Sequence, residues 1–109
     1  MTERPVEQAG ISSLASIDQV IHARARLMVL TYLYVVESAD FVFLKNLTGL
    51  TWGNLSTHLR KLEEAGYVRI EKEFRGKKPH TMIRLTDNGR AAFREYKQSM
   101  RKVLDDLPD

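Results

Sequence analysis

The sequence predicts an α+β domain, mostly α, in which helices surround a single β-hairpin. Three observations carry this. Residues 52–65 show a helical apolar period, opened by a threonine able to cap it and closed by a glycine. Residues 67–85 switch to period two on either side of a glycine-bearing turn, as paired strands do. Residues 93–107 place apolar side chains at alternating steps of three and four, the spacing of a helical seam. A chain of 109 residues makes one domain, and a 43% hydrophobic share gives it a core and excludes a disordered chain.

Taken in order, residues 1–15 hold Pro5 and Gly10 and no sustained period, which predicts a flexible arm or a short helix that packs on a partner. A first long helix is expected from Ser16 or Asp18, either of which can accept an orphan N–H. Val20, Ile21, Ala23, Leu27, Leu30, Leu33 and Tyr34 supply its stripe. Its end, residues 29–36, is apolar almost all round, which fits either burial on two sides, one against another subunit, or one wide core face. Glu37 to Asp40 reads as a polar turn and Phe41-Val42-Phe43 as a short β-prone strand. Leu44 to Leu47 suits a brief helix, and Thr48-Gly49-Leu50 a turn in which Gly49 takes positive φ.

The clearest helix follows. Thr51 is its N-cap, Leu55, Leu59 and Leu62 form one apolar edge, and Gly66 falls at the C′ position. Residues 67–74 alternate as a half-exposed strand, Arg75-Gly76-Lys77-Lys78-Pro79 turns, and residues 80–85 return. Thr86 caps a last helix, with Asp87 where the helix dipole favours negative charge. Gly89 is a poor helix former in that first turn.

Several function classes are excluded. Without cysteine there is no disulfide framework, thiolate metal site or thiol nucleophile. No apolar run reaches the ~20 residues of a membrane span, and Thr31 interrupts the longest, so a soluble cytoplasmic protein is expected. No glycine-rich phosphate loop, H-E-x-x-H or G-x-S-x-G occurs, and Ser56 and His58 point in different directions on one helix, so no enzyme is expected. The net charge of +3 is a mild prior for a polyanion partner.

The order helix, short strand, short helix, helix, strand, strand, helix is that of a winged helix-turn-helix: a three-helix core, a β-hairpin wing and an added C-terminal helix. Residues 16–92 would form the DNA-binding domain and 93–109 a dimerising extension. The helix over 52–65 would enter the major groove with its N-terminal residues on base edges. Its outer face offers Thr51, Trp52, Gly53, Asn54, Ser56, Thr57, His58 and Lys61. Asn pairs bidentately with adenine, Ser and Thr serve bases or phosphate, and Gly53 admits close backbone approach. Trp52 can instead staple the turn against the core, and His58 can be a half-buried structural histidine. From Arg75 through Arg84 no acid occurs, so Arg75, Gly76, Lys77 and Lys78 make a basic wing tip for the phosphate backbone or the minor groove. Phe93, Tyr96, Met100, Val103 and Leu107 form the last seam. It serves a dimer matched to a palindromic site, or folds back on the first helix within one chain.

Residues 50–93 carry a family resemblance. The capped Leu-Ser-Thr-His-Leu helix, Leu-Glu-Glu-Ala-Gly-Tyr-Val leading into a strand, the basic wing and Leu-Thr-Asp-Asn-Gly-Arg opening the next helix resemble regulators of the MarR and ArsR type. Ile21-His22-Ala23-Arg24-Ala25-Arg26-Leu27 is similar to their opening segment. The resemblance implies cytoplasmic homodimers on double-stranded DNA, commonly repressors released by a ligand or metal. Thr51, Trp52, Asn54, Ser56 and Thr57 fall where those proteins read DNA, and Arg75, Lys77 and Lys78 in their wing. His22, His58 and His80 form no ligand spacing, so neither metal sensing nor a cofactor is expected. A small-molecule effector stays open. The rival reading is a winged-helix adaptor for proteins, which would not need a basic, acid-free wing.

Overall fold

The computed structural model describes residues 11, 12 and 14–109, so most of the expected N-terminal arm lies outside the described residues. Residues 11, 12, 14 and 15 are helical, as in the short-helix alternative rather than a flexible arm. The order is α1 (Arg24–Val36), β1 (Ser38–Asp40), α2 (Phe41–Thr48), α3 (Trp52–Glu64), β2 (Val68–Arg75), β3 (Lys78–Leu85) and α4 (Asp87–Asp105). The three strands form one antiparallel sheet in the order β1-β3-β2. Helices and hairpin together make the winged helix with a C-terminal helix that the sequence predicts.

Three boundaries differ from expectation. The first helix starts at Arg24, not at Ser16 or Asp18. Asp18 does cap, but it caps a turn: its carboxylate accepts from the Val20 and Ile21 N–H groups at 2.8 and 3.2 Å. Ile21 is fully buried from that turn rather than from a helical stripe. The short strand is Ser38–Asp40, not Phe41-Val42-Phe43. Glu37 turns the chain at φ 71, its carbonyl accepts from Leu85, and residues 38–40 then pair with 84–82 of β3. Asp40 accepts from the Val42 N–H at 2.7 Å and opens α2, so the capping aspartate overrides the β propensity of the residues after it.

The other signals act as read. Thr51 accepts from the Asn54 N–H at 3.1 Å, and Thr86 from the Gly89 N–H at 2.9 Å. Gly49 and Gly66 have φ of 71 and 81. The hairpin is longer and tighter than expected: the strands run to Arg75 and from Lys78, leaving a two-residue turn. Gly76 has positive φ there and Lys77 does not, as in a type II′ turn. Gly89 is required rather than tolerated, because a Cβ would stand 2.1 Å from the Tyr67 carbonyl oxygen. That contact docks α4 on the corner between α3 and β2.

The core joins α1, α3 and the sheet base. Leu30, Leu33, Leu55, Leu62 and Ile83 are wholly inaccessible, and the expected edge of α3 faces inward. Helix α4 contributes Phe93 and Tyr96 to the same core. It runs unbroken to Asp105, so residue 93 lies inside a helix.

Candidate nucleic-acid interface

Burying Leu55, Leu59 and Leu62 fixes the roll of α3 and turns Gly53, Asn54, Thr57 and Lys61 to solvent, with Ser56 and His58 at the margins. Helix α2 precedes α3 across the Gly49 turn, and an aromatic pair locks the two. Trp52 stacks on Phe41 with ring centroids 5.1 Å apart and planes 5° from parallel. Lys45 from α2 sits over the indole at 5.4 Å. Trp52 is thus the staple for the turn, yet 56% of it stays exposed at the start of α3.

The predicted helix residues divide by what their side chains already do. Thr51 spends its hydroxyl oxygen on the cap, and Thr57 donates to the Gly53 carbonyl at 3.0 Å. Gly53 has open space around a notional Cβ, so nothing inside the molecule demands glycine there. His58 is engaged on its inner side by Arg26 of α1 at 3.0 Å. A guanidinium only donates, so Nδ1 of His58 accepts and the ring proton sits on Nε2. Burial, then the Arg26 and Lys61 charges, lower its pKa, which keeps the ring neutral. Arg26 itself is braced by the Val20 carbonyl at 2.6 Å, which ties the turn before α1 to the middle of α3.

Beside α3, a groove of about 490 Å³ runs to the hairpin, lined by Trp52, Ser56, Arg60, Glu63, Ile70 and Thr81 among others. Arg60 is a cation on this surface that the sequence reading missed. It follows Leu59 by one residue, so the helical period alone places it outside the core and next to Ser56.

In the hairpin, Arg84 is not free. It pairs with Glu71 at 3.1 Å and with Glu73 on the neighbouring strand. These carboxylates raise its pKa further. The acid-free run along one strand is therefore compensated across the sheet, a pairing invisible until the register is known. His80 is likewise held by Asp40 of β1 at 2.8 Å. At the tip the situation reverses. Arg75, Gly76, Lys77 and Lys78 are all exposed, and among the described residues none of the three cations has an ion-pair partner.

The predicted seam of α4 splits along its length. Phe93 packs on Tyr34 of α1 at 5.0 Å, and Tyr96 meets Nδ1 of His22 at 2.7 Å. Met100 packs partly against the core and Val103 is buried. Leu104 and Leu107 are 61% and 57% exposed. His22, His58 and His80 each meet a different partner in a different place, and no cluster of metal-binding side chains occurs among the described residues.

This helix-turn-helix with an adjacent basic hairpin defines a winged-helix protein. The sequence pattern of the winged helix DNA-binding domain family matches residues 25–104, and the chain belongs to that family. It is similar to an uncharacterized protein, MJ0432, of Methanocaldococcus jannaschii, with 38% identity over 78 residues, 72% of this chain and 85% of that one. Among solved structures it resembles the transcriptional regulator homologue protein from Pyrococcus horikoshii OT3. There the TM-score is 0.80 and the identity 26%, over 90% of this chain and 95% of that one. It also shares its fold with reduced AbfR bound to DNA, at TM-score 0.65 and 22% identity over 94% of this chain and 69% of that one. The family is thus a DNA-binding domain family, and the fold is shared with a transcriptional regulator homologue. No described helix is long and apolar enough to cross a membrane.

Proposed function

We propose that the protein is a sequence-reading transcriptional regulator of double-stranded DNA that works as a homodimer. The observation that carries this is the pairing of an outward polar helix with an uncompensated cationic tip beside it. Helix α3 enters the major groove, with Asn54, Ser56 and the open approach at Gly53 toward base edges. Thr51, Lys61 and Arg60 serve phosphate and register. Trp52 holds the α2–α3 turn and offers its outer edge to the sugar–phosphate wall. His58 presents its Nε2–H as a fixed neutral donor. Arg75, Lys77 and Lys78 grip the backbone beyond, with Gly76 allowing the turn between them.

Two copies of the chain meet through the outer end of α4. Phe93 and Tyr96 are spent inside each chain, so Leu104 and Leu107 supply the exposed apolar contact, with Met100 and Val103 behind them. Two reading helices related by a two-fold axis match a palindromic site. An effector, where one acts, shifts the spacing of the two heads.

The test is binding of the full chain to the DNA upstream of its own coding sequence and to scrambled duplex, across a salt series. Preference for the former, with affinity falling as salt rises, supports the reading. The triple reversal Arg75→Glu, Lys77→Glu, Lys78→Glu is expected to abolish binding and leave melting unchanged. A duplex affinity that survived it would disprove the role of the wing, and a wild-type chain without duplex affinity at low salt would point to the adaptor reading.

A further inference from the structure

The wing tip carries a group that electrostatic grip alone does not explain. Phe74 is 73% exposed, more than any other aromatic side chain among the described residues. It stands one residue before Arg75, paired across the hairpin with exposed Pro79. A phenyl ring left in water forgoes the burial that usually stabilises an aromatic residue. At a tip otherwise made of Arg, Gly and Lys, it adds nothing to solubility.

Strand alternation gives its direction. Val68, Ile70, Lys72 and Phe74 share one face of β2, and their β3 partners Leu85, Ile83, Thr81 and Pro79 complete it. At its base this face enters the core through Val68 and Ile83. One step out, Ile70 and Thr81 line the groove shared with Trp52, Ser56 and Arg60 of α3. Phe74 and Pro79 therefore end the strip that begins beside the reading helix. The opposite face carries the Arg84–Glu71–Glu73 set and is already paired.

The surroundings select the partner. Strand β1 covers only residues 82–84 of β3, so the hairpin beyond them is a two-stranded ribbon. Arg75 and Lys78 close the turn, which makes Phe74 and Pro79 the next, non-hydrogen-bonded pair. The amide nitrogen of residue 79 then faces the open edge of β3, and proline leaves no N–H there for another strand to use. Beyond Pro79 no apolar neighbour extends the ring into the patch a protein interface core needs: exposed Lys72 follows on the same face of β2, and exposed Lys77 stands at the turn. Arg75 and Lys78 project from the other face, where Arg75 reaches the Met82 sulfur at 4.0 Å. A flat apolar group with cations on both sides of the ribbon matches a narrow slot walled by phosphates. The minor groove of B-DNA is about 6 Å wide, and phenylalanine and proline are among the residues that wedge between its base steps.

We propose that Phe74, backed by Pro79, is an apolar probe that enters the minor groove flanking the site read by α3 and senses its width and ease of unstacking. Arg75, Lys77 and Lys78 hold the two phosphate walls while the ring meets sugars and base edges. This rests on the duplex reading above, and it adds a second source of specificity at positions α3 does not touch. Flexible pyrimidine–purine steps such as TA favour entry, and stiff G·C-rich flanks oppose it.

The test uses the full chain, wild type and Phe74→Ala, with 30-base-pair duplexes that share one central sequence and differ in TA-rich or G·C-rich flanks. Phe74→Ala is expected to weaken binding to TA-rich flanks roughly tenfold, the scale of one lost base-pair contact. It should leave G·C-rich binding, the salt slope and the melting temperature unchanged. Phe74→Leu should restore part of the preference. If Phe74→Ala binds both duplexes as the wild type does, this inference fails while the regulator reading stands. If the wild type binds neither duplex, both fail. Loss of binding to anionic phospholipid vesicles, with both duplex affinities intact, would overturn the proposal in favour of a membrane surface.

Discussion

The hairpin has two ends of opposite character. At the base, Ile83 is wholly buried and Val68 nearly so, while Arg84 is matched by Glu71 and Glu73 on the neighbouring strand. At the tip, Phe74 is exposed and Arg75, Lys77 and Lys78 face water without acid partners. The same residue types thus serve folding at one end and remain available to a partner at the other. Position along the ribbon separates the roles, because β1 and the core reach only the base, and the cross-strand partners at the tip are Pro79 and a second cation rather than acids.

Substitutions can break this contrast. The largest effect is expected at the base, where Ile83→Ala removes a fully buried side chain from the sheet core and costs about 3 kcal/mol. Phe74→Ala at the tip should cost less than about 0.5 kcal/mol. Urea unfolding of both variants measures the difference, and equal losses would erase the distinction. The cap that starts α3 comes next. Thr51→Ala leaves the Asn54 N–H without its partner and should cost about 1 kcal/mol. Arg84→Gln should lower the melting temperature only slightly, since this ion pair is partly exposed. A duplex affinity unchanged in that variant would keep Arg84 on the folding side of the hairpin.

The smallest effect concerns pH. His58 is less readily protonated in the folded chain than its ordinary value of 6.5, because of burial and the Arg26 and Lys61 charges. Below pH 6.5 the unfolded chain takes up this proton first, so stability is lost as pH falls. His58→Gln should flatten that loss between pH 7 and 5, read by denaturant midpoints. An unchanged pH profile would remove His58 as its source.

Much of the fold was legible because its signals are local. Thr51, Thr86, Gly49 and the leucine edge of α3 act within one turn of themselves, and each did what its type predicts. Two misreadings share a cause. Residues 38–43 hold a strand and a capped helix start, and strand pairing with β3 was decisive for the first half. Residues 18–23 look helical by period, but Asp18 folds back on the Val20 and Ile21 N–H groups. Its other oxygen takes the Tyr67 hydroxyl, whose pKa is pushed up to about 12 by burial and that carboxylate. A contact spanning that much chain leaves no trace in a window of sequence. The candidate site was legible on α3, where period alone separates inward from outward residues. The true freedom of the tip, and the pairing of Arg84, needed the register.

A duplex bound on α3 should also run along the tip, which is read from the salt dependence of duplex affinity for the wild type and for Arg75→Gln, Lys77→Gln, Lys78→Gln. Each lost phosphate contact lowers the log–log slope by about 0.9, so the variant's slope should be shallower by between about 2 and 3. The melting temperature should not change. An identical slope in a folded variant would mean that the tip never meets the DNA backbone.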